Sequence, residues 1–135
     1  MATYNKFNAW VDYMVEAANL SSDQFVVALT NSAPVATNSV LADLTQISYT
    51  NLSSRNITTT SSSQSSGTYS LVLADLTLTA SGSVGPFRYV VIYDDTVTSP
   101  SADPLVCWYD YGSSITMASG ETFTIDFGAN LFTLT

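Results

Sequence analysis

The chain has 135 residues, of which 46% are hydrophobic and 10% charged, and it carries a net charge of −8 at pH 7. This length suits one domain with one core, so we interpret residues 1–135 as a single domain. The three basic residues, Lys6, Arg55 and Arg88, are scattered, which argues against binding to nucleic acid or to anionic membranes, because both need clustered cations.

Serine and threonine supply most of the polarity, at about 28% of the residues. This bias favours strands, turns and exposed sheet faces over helix interiors. No apolar run is long enough for a signal peptide or a membrane span. We therefore expect synthesis as a soluble cytoplasmic chain.

The N-terminal segment has the periodicity of an amphipathic helix from about residue 4 to 19. Its apolar residues recur at helical spacing: Phe7, Trp10, Val11, Met14, Val15 and Ala18. Such a stripe typically covers one side of a sheet core. The alternative is a contact with a subunit or partner, for which Phe7, Trp10 and Met14 are the candidate interface residues.

The remainder, about residues 24–135, reads as short strands separated by turns. The run Phe25 to Thr30 is apolar throughout, as in a strand buried on both faces. Further strands are predicted at Phe87 to Asp94, Leu105 to Tyr111 and Leu131 to Thr135. The pattern predicts a mainly β fold, an antiparallel β-sandwich or barrel-like domain with one N-terminal helix.

A serine- and threonine-rich tract lies within residues 56–70. We interpret it as a β-hairpin arm that turns near Ser65-Ser66-Gly67, with a disordered loop as the alternative. Because the tract lacks apolar residues for a core of its own, Ser61, Ser62 and Ser63 are candidate contacts with a neighbouring subunit.

Arg88 is predicted to be mostly buried, since it alternates with Val90 and Ile92 on one strand face. A buried guanidinium needs a carboxylate partner, and we expect this partner to be Asp110 on the next strand. Recognition of a ligand by Arg88 is the functional alternative.

Catalytic chemistry has few candidate residues. With no histidine and one cysteine, neither a Ser-His-Asp triad nor a zinc site built from His and Cys can form. Cys107 lies between apolar neighbours and is expected to be a small buried hydrophobe. We therefore predict no enzymatic activity, no catalytic residue, no metal and no cofactor.

Two binding features leave alternatives open. The acidic segment 94–103 is expected to be a solvated loop, although Asp94, Asp95 and Asp103 could ligate calcium with backbone carbonyls. Tyr89, Tyr93, Trp108, Tyr109 and Tyr111 are expected to pack in the core or an interface, with a sugar-stacking platform as the alternative.

Several segments together resemble small structural proteins of tailed bacteriophages. The similarity spans most of the chain and rests on strand and turn signatures, in the segments Tyr4 to Asn8, Val27 to Pro34, Gly85 to Tyr93, Trp108 to Gly112 and Gly120 to Thr124. The resemblance implies membership of a virion and implies no particular chemistry.

Within a virion, the resemblance implies a decoration or cement protein on the outer capsid surface that stabilises the head. Its expected partners are the major capsid protein and further copies of itself, as a trimer or dimer, after synthesis in the host cytoplasm. The alternative is a tail or fibre component that contacts host-surface glycans. An acidic domain without catalytic groups suits either role.

Overall fold

The fold is described by a computed structural model covering residues 2–135. It is mainly β, with ten strands and two short helical segments in this range. The elements, in chain order, are β1 Thr3–Lys6, helix α1 Trp10–Glu16, β2 Phe25–Thr30, a 3-10 helix Leu41–Asp43, β3 Asn56–Ile57, β4 Thr59–Ser65, β5 Thr68–Leu73, β6 Leu76–Thr79, β7 Val84–Asp94, β8 Leu105–Met117, β9 Thr122–Ile125 and β10 Phe132–Leu134.

The strands form three antiparallel sheets. The largest has the order β1-β8-β7-β2-β3, the second β10-β5-β4 and the third β6-β9. Apolar residues from all three sheets meet in one main core, which therefore lies between the five-stranded sheet and the two smaller ones. This layered arrangement confirms the predicted mainly β, antiparallel fold; the sheets do not close into a barrel.

A second, smaller core covers the opposite face of the five-stranded sheet. Val26 and Ala28 of β2 lie here together with Phe7, Val91, Tyr93 and Leu105, and the 31–47 loop contributes Leu41 and Leu44 as a cover. The alternate residues of β2, such as Val27 and Leu29, point into the main core. Two cores thus explain why every residue of β2 is buried, as its apolar sequence predicts.

The prediction of a helix over residues 4–19 is wrong at its N-terminal end. Residues 3–6 form β1, in which Thr3 pairs with Asp110 and Lys6 with Cys107 of β8. Pairing satisfies backbone groups along the edge of a thirteen-residue strand, and this gain outweighs the local helical periodicity. The helix therefore begins only at Trp10 and ends at Glu16.

The β8 strand is longer than predicted. The predicted strand ends at Tyr111, but β8 continues to Met117, and Gly112 has a φ of 85° within it. The register against β7 shifts between Phe87 and Tyr89, the β7 partners of Ile115 and Asp110. The glycine thus accommodates a bulge and not a chain reversal.

Candidate functional surfaces

The three predicted interface residues of the N-terminal segment lie largely inside the molecule. Phe7 is fully buried in the smaller core, with its ring centroid 4.6 Å from that of Trp108. Trp10 is 2% exposed in the main core, edge-on to Phe25. Met14 is half-buried against the same core. Phe7 and Trp10 offer no surface to a partner, so the interface prediction is wrong for them.

The exposed face of the helix carries two valines instead. Val11 is 43% and Val15 74% exposed, and we call this pair the helix patch. Helical periodicity that includes Phe7 predicts both valines on the buried stripe. Phe7 lies outside the helix. Of the helical apolar stripe, Trp10 is buried, Met14 is partly buried, and the two valines face outward.

A shallow depression of about 230 Å³ lies on the same helix. It is lined by Ala9, Asp12, Tyr13, Glu16, Ala17 and Pro100. Its polar groups are two carboxylates and one phenol, and no basic residue takes part.

The serine-rich tract forms the predicted hairpin. Ser66 and Gly67, with φ values of 51° and 83°, make the two-residue turn between β4 and β5. Consecutive positive φ values are typical of the tight turns that match strand twist, and glycine adopts them without strain. The prediction of a hairpin turning at this point is confirmed.

The hairpin is not an independent arm, however. Its second strand, β5, pairs with β10, and Leu71 and Leu73 lie in the main core. The first strand, β4, is the edge of its sheet. Ser61 and Ser62 are half-buried and Ser63 is exposed, so the strand's side chains remain accessible to a partner.

Arg88 forms the predicted ion pair with Asp110. Its Nε donates to Oδ1 at 2.8 Å and its Nη2 to Oδ2 at 3.1 Å. The pair is only partly buried, since 37% of the Arg88 side chain and 30% of the Asp110 side chain are exposed. The register shift in front of Tyr89 turns Arg88 away from the apolar face that simple alternation predicts.

The acidic residues near the ends of β2 and β7 include a buried pair. Asp94 is fully buried and Asp23 is 9% exposed. The Oδ1 of Asp94 accepts a hydrogen bond from the Thr96 N–H at 3.0 Å, whereas its Oδ2 has no donor. Burial, and then the neighbouring Asp23 carboxyl, raise the pKa of Asp94 to about 8. Burial of the pair therefore favours the protonated form of Asp94.

The structure gives no support to calcium binding by Asp94, Asp95 and Asp103. Among residues 2–135, no group of three or more acidic or thiol side chains is arranged to hold a metal ion. Burial and the nearby Asp95 raise the pKa of Asp103. A raised carboxyl pKa disfavours cation binding, since metal ligands must be ionised.

Cys107 lies where the sequence analysis expects it. The side chain is fully buried, and burial strongly raises the pKa of its thiol. A thiol in this state is not a nucleophile near neutral pH, because only the thiolate attacks.

The five aromatic residues of the suggested sugar platform do not form one surface. Tyr89 and Tyr93 are 8% and 6% exposed, and Trp108 packs on Phe7 at the opposite face of the sheet. Tyr111 and Tyr109, the latter 8% exposed, line a common groove, so the five residues do not form one platform.

That groove has a volume of about 460 Å³ and lies between the layers of the sandwich. We call it the tyrosine groove. Tyr109 and Tyr111 of β8 and Tyr4 of the edge strand β1 form one side, and β9 with the loop before β10 forms the other. The full lining is Ala2, Tyr4, Tyr109, Tyr111, Thr124, Asp126, Phe127, Gly128, Asn130 and Leu131.

Sequence reasoning missed this groove because its two sides are distant in the chain. Tyr4 directly faces Tyr109 in the register of β1 and β8, whereas the sequence analysis assigns Tyr4 to a helix. Period-two alternation does place Tyr109 and Tyr111 on one face, which was the available signal.

No family model matches the chain, and no curated protein or solved structure matches it either. Within residues 2–135, no helix is long and apolar enough to span a membrane.

Proposed function

We propose that this chain is a structural protein of a tailed-bacteriophage virion, made in the host cytoplasm and bound as a decoration or cement protein to the outer surface of the capsid. Its partners are the major capsid protein and further copies of itself, as a trimer or dimer. The protein catalyses no reaction and stabilises the head by bridging capsid subunits.

The open edge at β4 is the observation that carries the proposal. This strand pairs on one side only, with β5. Its seven residues, TTSSSQS, contain no charge and no proline. Soluble proteins usually protect an edge of this length with lysine, proline or a bulge, because a free edge pairs with other chains. The bulge between Thr59 and Ser61 leaves the rest of β4 in regular register.

An uncharged free edge suits addition of a strand from another protein. In this mode, backbone hydrogen bonds supply affinity and side chains on alternate positions supply specificity. Ser61 and Ser63, whose hydroxyl oxygens are 3.2 Å apart, present small polar groups that permit close approach. A segment of the major capsid protein is the proposed occupant.

The charge of the chain supports a place on the outer surface of the capsid. The net charge of −8 disfavours contact with the packaged genome. Two of the three basic residues are engaged within the chain: Arg88 is paired with Asp110, and the Arg55 guanidinium stacks on the Tyr49 ring at 3.6 Å. An acidic surface is compatible with the outside of the head. The exposed helix patch adds an apolar area for contact with a subunit.

Cryo-electron microscopy of the intact particle tests the proposal. Density for this fold is expected to recur across the icosahedral lattice on the outer surface, with β4 against another chain. Density confined to the tail would overturn the capsid proposal in favour of a tail or fibre component that contacts host-surface glycans.

Particles lacking the protein provide a second test. A ligand that binds only the assembled state stabilises it by mass action. Such particles are therefore expected to release DNA at a lower temperature than complete particles, and adding back the purified chain should restore the release temperature. Equal release temperatures would contradict a cement role.

A further inference from the structure

The tyrosine groove contains polar atoms without partners inside the chain. Among the hydrogen bonds of residues 2–135, none involves the hydroxyls of Tyr109 and Tyr111 or the side-chain amide of Asn130. The Asp126 Oδ1 accepts from the Gly128 N–H at 2.7 Å, which leaves Oδ2 free. These groups offer both donors and acceptors to a molecule in the groove.

Asp126 lies near both phenols on the opposite side. Burial is the main reason that the pKa values of Tyr109 and Tyr111 are raised, and the negative charge of Asp126 raises both further. The phenols consequently remain protonated donors over the whole physiological pH range. The Asp126 carboxylate, Tyr109 and Tyr111 thus line one groove, with most of the Tyr109 side chain buried.

The aromatic rings provide the apolar part of the groove. Tyr4 is 40% exposed and meets Tyr109 edge-on, with ring centroids 5.6 Å apart. Tyr111 is held edge-on by Phe123 at 5.1 Å. Rings fixed in this way present amphipathic surface without a large loss of side-chain entropy. Phe127 and Leu131, both buried, close the base.

We propose that the tyrosine groove binds a neutral saccharide. A pyranose combines apolar C–H faces, which pack on tyrosine rings, with hydroxyl pairs, which a carboxylate and an amide hold by hydrogen bonds. The groove volume falls in the usual range of small-ligand sites, about 300–1,000 Å³. The site is separate from β4 and the helix patch, so the inference goes beyond the proposed function and holds for a head or a tail protein.

The charge of the site selects the class of sugar. Asp126 lies inside the groove, whereas no lysine or arginine lines it. Uronic acids, sialic acids and phosphorylated sugars would place a second anion near this exposed carboxylate, and the like charges would repel. Neutral hexoses and N-acetylhexosamines avoid that repulsion.

Titration of the full chain with named sugars tests the proposal. The ¹⁵N-labelled protein is titrated with D-glucose, D-galactose, D-mannose, N-acetyl-D-glucosamine, lactose and maltose, each to about 50 mM, which detects dissociation constants in the millimolar range. D-glucuronate is the charged comparison. We expect at least one neutral sugar to shift amide signals of the 126–130 loop and of Tyr109 and Tyr111, and D-glucuronate to shift them less.

Three variants assign the binding to the groove. Asp126→Asn keeps the oxygen that accepts from Gly128 but removes the charge, and Tyr111→Phe removes only the hydroxyl. Each is expected to weaken binding by about tenfold. Asp12→Asn removes the same charge in the depression on the helix, and it is expected to leave the affinity unchanged.

Several results would overturn the proposal. These are the absence of groove shifts with all six neutral sugars, shifts that lie outside the groove, equal or tighter binding of D-glucuronate, or unchanged affinity in both groove variants. Groove signals that shift with protein concentration alone would assign the groove to self-association and also overturn it.

Discussion

Arg88 donates two parallel hydrogen bonds to Asp110, from Nε to Oδ1 at 2.8 Å and from Nη2 to Oδ2 at 3.1 Å. Asp110 Oδ1 also accepts from the Gly112 N–H at 2.8 Å. The carboxylate thereby connects β7 to the bulge in β8. Both side chains remain about one-third exposed, so the pair is screened by solvent and its role is chiefly geometric.

Arg88→Lys is expected to lower the melting temperature only slightly. Lysine loses the bidentate hydrogen-bond geometry but keeps the positive charge. Arg88→Ala should lower it more. Hydrogen bonds from Arg88 and then from Gly112 lower the pKa of Asp110, so this stabilisation is complete above the ordinary pKa of 3.8 and is lost as the pH falls through the lower folded value. Thermal melts between about pH 2 and pH 7 check this; an Arg88→Ala loss that persists at the lowest pH would contradict it.

Trp10→Ala is expected to destabilise the fold by about 3–5 kcal/mol, the usual cost of deleting a large buried aromatic side chain. Trp10→Phe is the matched control. The Trp10 Nε1–H has no hydrogen-bond partner, so phenylalanine loses ring volume but no hydrogen bond and should cost clearly less. Urea unfolding measures both free energies, and equal costs for the two variants would show that the indole N–H matters.

Asp94→Asn is expected to stabilise the protein at alkaline pH and to flatten its pH dependence. Because the folded pKa of Asp94 is raised to about 8, the folded state holds a proton that the unfolded state has already lost above pH 3.8. Stability from this group therefore falls as the pH rises from about 4 to about 8. The neutral amide removes this loss, and its N–H₂ can donate to Asp23.

At pH 9, the expected gain for Asp94→Asn is about 1–3 kcal/mol, the cost of a buried polar group without a partner. Denaturation at pH 5 and pH 9 measures it. Asp95→Asn alters an exposed neighbouring carboxylate and is the control. It should change the dependence of the unfolding free energy on pH less than Asp94→Asn does. An Asp94→Asn variant that is less stable than the parent chain at pH 9 would show that the buried carboxylate is tolerated.

Ser63→Lys is expected to weaken attachment to particles without unfolding the chain, since a lysine on β4 protects the edge against pairing. Thr133→Lys on β10, the opposite edge of the same sheet, is the control and should attach normally. Sedimentation of protein-depleted particles mixed with each variant measures attachment. If both variants lost attachment equally, the added positive charge would be the cause, and pairing at the β4 edge would not.

Local patterns predicted the strands well where the chain itself determines their environment. The wholly apolar Phe25–Thr30 segment requires burial on both faces, and Ser66-Gly67 permits a tight turn, so both were identified. Leu73 and Leu76 fall out of phase because the chain leaves one sheet at Ala74-Asp75 and joins another. Period-two alternation alone does not distinguish such a change of sheet from a bulge within one strand.

The N-terminal segment and the tyrosine groove could not be predicted locally. Phe7 and Trp10 are three residues apart, as in a helix, but they lie in different cores on opposite sides of the sheet. Only the pairing of β1 with the distant β8 separates them. The same pairing brings Tyr4 beside Tyr109, so the groove depends on a contact between residues more than one hundred positions apart in the sequence.

The loop that covers the smaller core has a consequence for how the protein opens. It is fastened to the sheet by a few backbone hydrogen bonds, among them Asn8 N–H to Ala36 and Leu105 N–H to Ser39. Breaking them would expose Val26 and Val91 while leaving the three sheets paired. Amide hydrogens of the loop should therefore exchange with solvent sooner than those of β2 and β7, through a partial opening that precedes global unfolding.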